Sequence, residues 1–167
     1  MEKAKLLSHY IQTLPDFEII ENPTTGYDHM GAVLVDAALQ AGIRYDTVVR
    51  PRVEAVLAAY PDAKTTSAFQ RVLMITGAPN LLEWSLDRKI NTLVDATQFF
   101  VSEKIETVDD LRAWLLEADN IQRLKEIHGI GPKTADYFKI LTGIPTSAID
   151  RHLYNFLAQA GVEVNGY

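Results

Sequence analysis

The stretch Asn120–Leu141 reads NIQRLKEIHGIGPKTADYFKIL and holds two helical patterns with a glycine turn between them. Ile121, Leu124 and Ile127 fall three residues apart and mark a short amphipathic helix; Ala135, Phe138 and Leu141 mark a second. His128-Gly129-Ile130-Gly131-Pro132 joins them. Two glycines flank one apolar residue, so Ile130 can anchor the turn while the glycines allow tight geometry, positive φ included. Pro132 suits the first position of the second helix, where a missing amide costs nothing. The free amides of Gly129, Gly131 and the helix start then point one way and form an anion site able to hold a phosphate. No basic side chain is needed for that contact. The plainer reading of the same residues is a Gly-Pro turn between two packed helices.

Outward from this turn the periodicity stays helical. Apolar residues at spacings of three and four recur in 4–14, 29–41, 47–60, 67–75, 86–101, 108–118, 121–127, 133–142 and 151–160. Stop signals separate them: Pro15, the Asn22–Gly26 stretch, Gly42, Pro61-Asp62, Gly77-Ala78-Pro79-Asn80 and Gly161. Thr107 with Asp110 resembles a capping box opening the helix that holds Leu111. Pro51 means that its helix either starts late, near Arg50, or is kinked. Only Phe17–Ile20 could pass as a short strand. The expectation is an all-α fold of roughly eight to ten short helices in one compact globule of two helical lobes. Residues 1–167 read as a single domain, with helix 4–14 packing against 151–160.

Composition narrows the chemistry. At 47% apolar residues, with 9 Gly and 7 Pro, the chain can bury a core and is not a disordered or low-complexity segment. No apolar run approaches the ~18 residues of a membrane span and no signal-peptide stretch opens the chain, so the expected setting is the cytoplasm, away from membranes. The 167 residues include no cysteine, which excludes disulfides, thiolate zinc sites, cysteine nucleophiles and iron–sulfur clusters. The four histidines, His9, His29, His128 and His152, show no metal-ligand spacing, and no phosphate loop, dinucleotide fingerprint or nucleophile elbow is present. A net charge of −6 argues at first against nucleic acid. The charge is uneven, however: residues 1–120 hold 11 Lys and Arg against 18 Asp and Glu, while residues 121–167 hold 5 against 4. Acidity stops where the glycine turn begins.

The 120–141 stretch resembles the helix–hairpin–helix motif, and with residues 147–152 it is similar to the helix–hairpin–helix DNA glycosylases, the superfamily of endonuclease III and 8-oxoguanine glycosylase. The likeness is specific from about 121 to 153. It implies that Gly129, Ile130, Gly131, Lys133 and Thr134 meet the DNA backbone and that Lys133 is the nucleophile of a bifunctional enzyme. Ser147-Ala148-Ile149-Asp150-Arg151-His152 resembles the family's VDTH segment, which puts the family's aspartate at Asp150, 17 residues after Lys133. Gln40, in Ala38-Leu39-Gln40-Ala41, stands where a side chain fills the gap left by an extruded base. Main-chain carbonyls of Lys125, Ile127 and Ile130 are implied ligands of a structural K+ or Na+. The partner implied is damaged double-stranded DNA, bound by a monomer in a bacterial or archaeal cytoplasm, at the nucleoid. No other cofactor is implied.

Elementary chemistry is consistent with those roles. A lysine in the first turn of a helix meets the positive end of the macrodipole, and partial burial acts in the same direction, so some free amine becomes available for attack. A nearby carboxylate would stabilise positive charge on the sugar and take up a proton. The same lysine can also simply touch a phosphate, as in non-catalytic DNA-structure modules with the same hairpin, and Asp150 is equally an N-cap for the helix after it. The chain departs from the family in its missing cysteine cluster, in His128 for the usual proline, and in Arg151 for the usual threonine. Three readings follow: a DNA glycosylase with abasic-site lyase activity, a non-catalytic DNA-structure or damage-binding module, and a glycosylase fold reused for protein interaction.

Overall fold

The apolar run Met30–Leu39 sets the architecture, because a helix that is apolar on every side must be buried on every side. In the computed structural model, which describes residues 2–18, 26–148 and 151–163, all ten residues of this helix, α2, are buried. The regular structure of the described residues is helical, with no strand among them: the protein is all-α. The other helices are α1 (Glu2–Gln12), α3 (Arg50–Ala59), α4 (Thr66–Thr76), α5 (Ala78–Leu82), α6 (Asp87–Ser102), α7 (Val108–Trp114), α8 (Ala118–Lys125), α9 (Pro132–Leu141) and α10 (Arg151–Gln159). The chain divides into two compact units, Thr25–Ser147 and the pair of terminal segments Met1–Thr24 with Ala148–Tyr167.

In the larger unit α3, α4, α6 and α9 all pack against α2. The N-terminus of α2 is capped by His29, whose Nδ1 accepts the Ala32 amide at 3.1 Å. Its Nε2 lies 2.9 Å from the Tyr60 carbonyl and must therefore carry the proton and donate. Gly31 lets α4 approach closely: a Cβ there would stand 2.6 Å from the Phe69 ring. Pro51 sits in the first turn of α3, directly after a π-helical turn at Tyr45–Val49, so the helix starts late and is not kinked.

Aromatic edges fix α9 in the core. The Phe100 ring of α6 meets Phe138 of α9 at 5.6 Å and Trp114 of α7 at 6.0 Å, both edge to face. Arg112 of α7 donates from Nε to the Thr142 carbonyl at 2.6 Å and ties down the C-terminal end of α9. Thr107 and Asp110 form a complete capping box at the start of α7.

The sequence reading departs from the structure in two places. Gly77–Asn80 reads as a stop, yet the short helix α5 begins at Ala78, with Pro79 in its first turn. Helix α7 ends at Trp114, short of residue 118, and α8 starts at Ala118, before residue 121. Of the candidate strand 17–20, residues 17 and 18 carry no regular structure and the rest lie outside the described residues.

The terminal unit is held by rings. Tyr10 of α1 meets Phe156 of α10 edge to face at 5.4 Å, and Phe17 stacks on the same Phe156 at 6.2 Å. The Tyr10 hydroxyl donates to Gln159 Oε1 at 3.0 Å, and Lys3 donates to the Glu163 carbonyl at 2.6 Å. No helix among the described residues is long and apolar enough to cross a membrane.

Candidate functional site

The turn between α8 and α9 is built from the inside out. Leu124, Ile130, Thr134, Ala135 and Phe138 are buried and seat both helices. The Ile130 amide donates to the Ile127 carbonyl at 3.0 Å and closes the turn. Gly129 has φ +93°, and a Cβ on it would fall onto the Thr92 hydroxyl of α6, so two independent constraints select glycine. That hydroxyl lies 2.8 Å from the Arg88 carbonyl and 3.0 Å from the His128 carbonyl and donates to one at a time, which pins the turn to α6.

Gly131 is the N-cap of α9, in extended geometry with φ −98° and ψ −175°, and no side chain caps the helix. Pro132 follows in the first turn, and the first helical bond runs from the Ala135 amide to the Gly131 carbonyl at 2.9 Å. The first turn of a helix, before that bond, is where main-chain amides lack an intrahelical carbonyl. A Cβ at Gly131 would meet nothing within 4 Å, so the main chain is open to an approaching group. Lys133 is half-buried in this first turn. One turn further along the same face stands Tyr137, also half-buried.

The remaining site residues fall variously. Thr134 is buried, so its hydroxyl is not presented to a ligand. Gln40 is 8% exposed at the C-cap of α2, and its side-chain amide is closed off from solvent. Lys125 ends α8, and Ile127 and Ile130 bracket the turn, with the Ile127 carbonyl already holding the Ile130 amide. No group of three or more His, Cys, Asp or Glu able to hold a metal occurs among the described residues. Asp150 lies outside the described residues, and so does any pairing it makes with Lys133.

Of a second polar cluster, centred on Asp36, the sequence reading names only Gln40. Asp36, the one charged residue of α2, is 0% exposed. Its Oδ2 accepts from the Tyr27 hydroxyl at 2.7 Å and the Tyr45 hydroxyl at 3.2 Å, while Oδ1 has no hydrogen-bond partner. Burial raises the Asp36 carboxyl above the usual carboxylate range, with the two tyrosine hydroxyls pulling the other way. Burial, then Tyr45 and Asp36, raise the Tyr27 phenol, and Tyr137 is pushed up to about 12 by burial and the charges of Asp36 and Tyr45. Tyr137 of α9 therefore lies within the field of the α2 carboxylate. One turn after Asp36, Gln40 Nε2 is likewise buried without a partner. Lys89 of α6 donates to the adjoining Ala41 carbonyl at 2.9 Å, and burial, with the Arg88 charge beside it, pushes its ammonium down to about 8.

The sequence signal for Asp36 was available: a lone carboxylate inside ten otherwise apolar or small residues. The burial of Lys89 leaves no mark in the sequence, where it stands in an Arg88-Lys89 pair. No protein-family model matches the chain, and no curated protein or solved structure matches it.

Proposed function

We propose that the chain grips the DNA sugar-phosphate backbone through the main-chain amides of the 129–134 turn and acts there as a DNA glycosylase with abasic-site lyase activity. The observation that carries this reading is the uncapped, proline-started N-terminus of α9, preceded by Gly129 at φ +93° and a buried Ile130. A helix N-terminus of this kind points main-chain N–H groups and the positive end of its dipole at an anion. Half-buried Lys133, in the same first turn, then stands beside a bound phosphate. In the proposed step its amine attacks the sugar C1′ of a flipped nucleotide, the base leaves with the glycosidic electron pair and takes a proton, and the sugar opens to a Schiff base. Loss of the C2′ proton and cleavage of the C3′–O bond then nick the strand and release Lys133 on hydrolysis. Asp150 enters through the family resemblance, as the carboxylate that stabilises charge on the sugar.

Borohydride trapping on abasic-site DNA tests the proposal. A covalent adduct is expected with the wild type and with Lys104→Asn, an exposed lysine at φ 59° where asparagine is well tolerated. The adduct should disappear in Lys133→Ala while DNA binding persists. DNA binding with no adduct in any variant assigns the hairpin instead to a non-catalytic DNA-structure module. Undetectable binding at low salt removes both readings.

A further inference from the structure

Asp36 Oδ1 and Gln40 Nε2 are two orphaned polar atoms one helical turn apart on α2, each on a residue more than nine-tenths buried. Leaving either unmatched in the interior carries a desolvation penalty. Their needs are opposite: the carboxylate oxygen lacks a donor and the amide nitrogen lacks an acceptor. The two do not satisfy each other. A third group that offers an N–H to Asp36 beside an acceptor for Gln40 matches both. The other carboxylate oxygen is held by Tyr27 and Tyr45, so Asp36 cannot turn away from that role without losing two hydrogen bonds.

Three phenols lie close to Asp36: Tyr27 and Tyr45 hold its Oδ2, and Tyr137 feels its charge. Tyr27, Tyr45 and Tyr137 are half-buried, so each has part of its surface in solvent while the carboxylate has none. Flat aromatic faces with a few placed polar atoms are what a planar heterocycle requires. Tyr137 also shares its face of α9 with Lys133.

We infer that Asp36 and Gln40, flanked by Tyr27, Tyr45 and Tyr137, form a binding site for the edge of a nucleobase-like heterocycle that carries a ring N–H next to a carbonyl or ring nitrogen. The site's existence stands on the α2 geometry alone; that its occupant is a base extruded from DNA rests on the proposed function.

Two ligands that differ by one methyl group read the edge directly. 1-Methyluracil keeps its N3–H beside two carbonyls, and 1,3-dimethyluracil has that N–H capped. Titrated into the full chain and followed by NMR of the tyrosine rings, 1-methyluracil should shift Tyr27 and Tyr45 saturably and bind at least tenfold more tightly. In Asp36→Asn the oxygen stays with the two tyrosine hydroxyls, which puts an NH2 donor where Oδ1 was. The tenfold preference should then vanish with the fold intact by thermal melting. Gln40→Met should weaken both ligands by removing the donor to the carbonyl, and this variant decides the matter should Asp36→Asn fail to fold. Equal responses to the two uracils, or none up to their solubility, overturn the inference. Abasic-site trapping needs no base, so Asp36→Asn should leave the Lys133 adduct unchanged. A lost base preference with intact trapping, or the reverse, tells failure of this site from failure of the lyase reading.

Discussion

At the scale of single residues, the two turn glycines differ in kind. Gly129 is held at φ +93° against Thr92, whereas Gly131 is extended and faces open space. Gly129→Ala should cost about 1–3 kcal/mol from the strained dihedral, with the Thr92 clash added to it, seen as a lower urea midpoint. Gly131→Ala should cost under about 1 kcal/mol, as a poorer N-cap residue, yet weaken DNA binding by crowding the main chain at the proposed phosphate contact. Equal stability losses would contradict that division. Asp36 gives a pH signature. Its native pKa is raised by burial, so the native chain keeps a proton that the unfolded chain releases from about pH 4 upward. Native stability contributed by this group is thus greatest at low pH and falls as pH rises to the raised value. Asp36→Asn keeps the acceptor for Tyr27 and Tyr45 and drops the titration, so its melting temperature relative to wild type should climb between pH 4 and pH 7. A difference constant across that range would contradict the assignment. Gly129 was legible because its constraint is local turn chemistry. Asp36 showed itself only as the lone carboxylate of an apolar run, and the burial of Gln40 was not legible, because helices distant in the chain, α4, α6 and α9 among them, pack around α2.

Among the helices, those with local start signals were readable. Thr107 and Asp110 make the capping box that their spacing suggests, and Thr107→Ala should lower stability by about 1 kcal/mol, measured by chemical denaturation. No change would mean that α7 is held by Trp114 and Arg112 packing alone. Pro79 misled for the opposite reason. A proline ends a helix from inside but begins one from its first turn, and the sequence does not say on which side of the boundary it stands. Helix α2 posed another difficulty. Periodicity distinguishes an inner face from an outer one, and a helix buried on all sides has no outer face, so the pattern around Gln40 could not show that it is buried. The π-helical turn before Pro51 left no sequence mark beyond the proline itself.

For the molecule as a whole, the net charge of −6 and the proposed amide-based phosphate grip make a joint prediction about salt. Few cations are displaced when main-chain donors do the binding, so log affinity for DNA against log salt should have a slope shallower than about −4. A steeper slope would point to a basic surface in place of the hairpin. The central claim is that Lys133 is the amine that attacks the sugar. Lys89 is the rival within the same unit, since its ammonium is already pushed down to about 8. The most direct measurement is peptide mass mapping of the borohydride-trapped adduct on abasic-site DNA. The account predicts the reduced sugar remnant on Lys133. A remnant on Lys89, or on any other lysine, would contradict it.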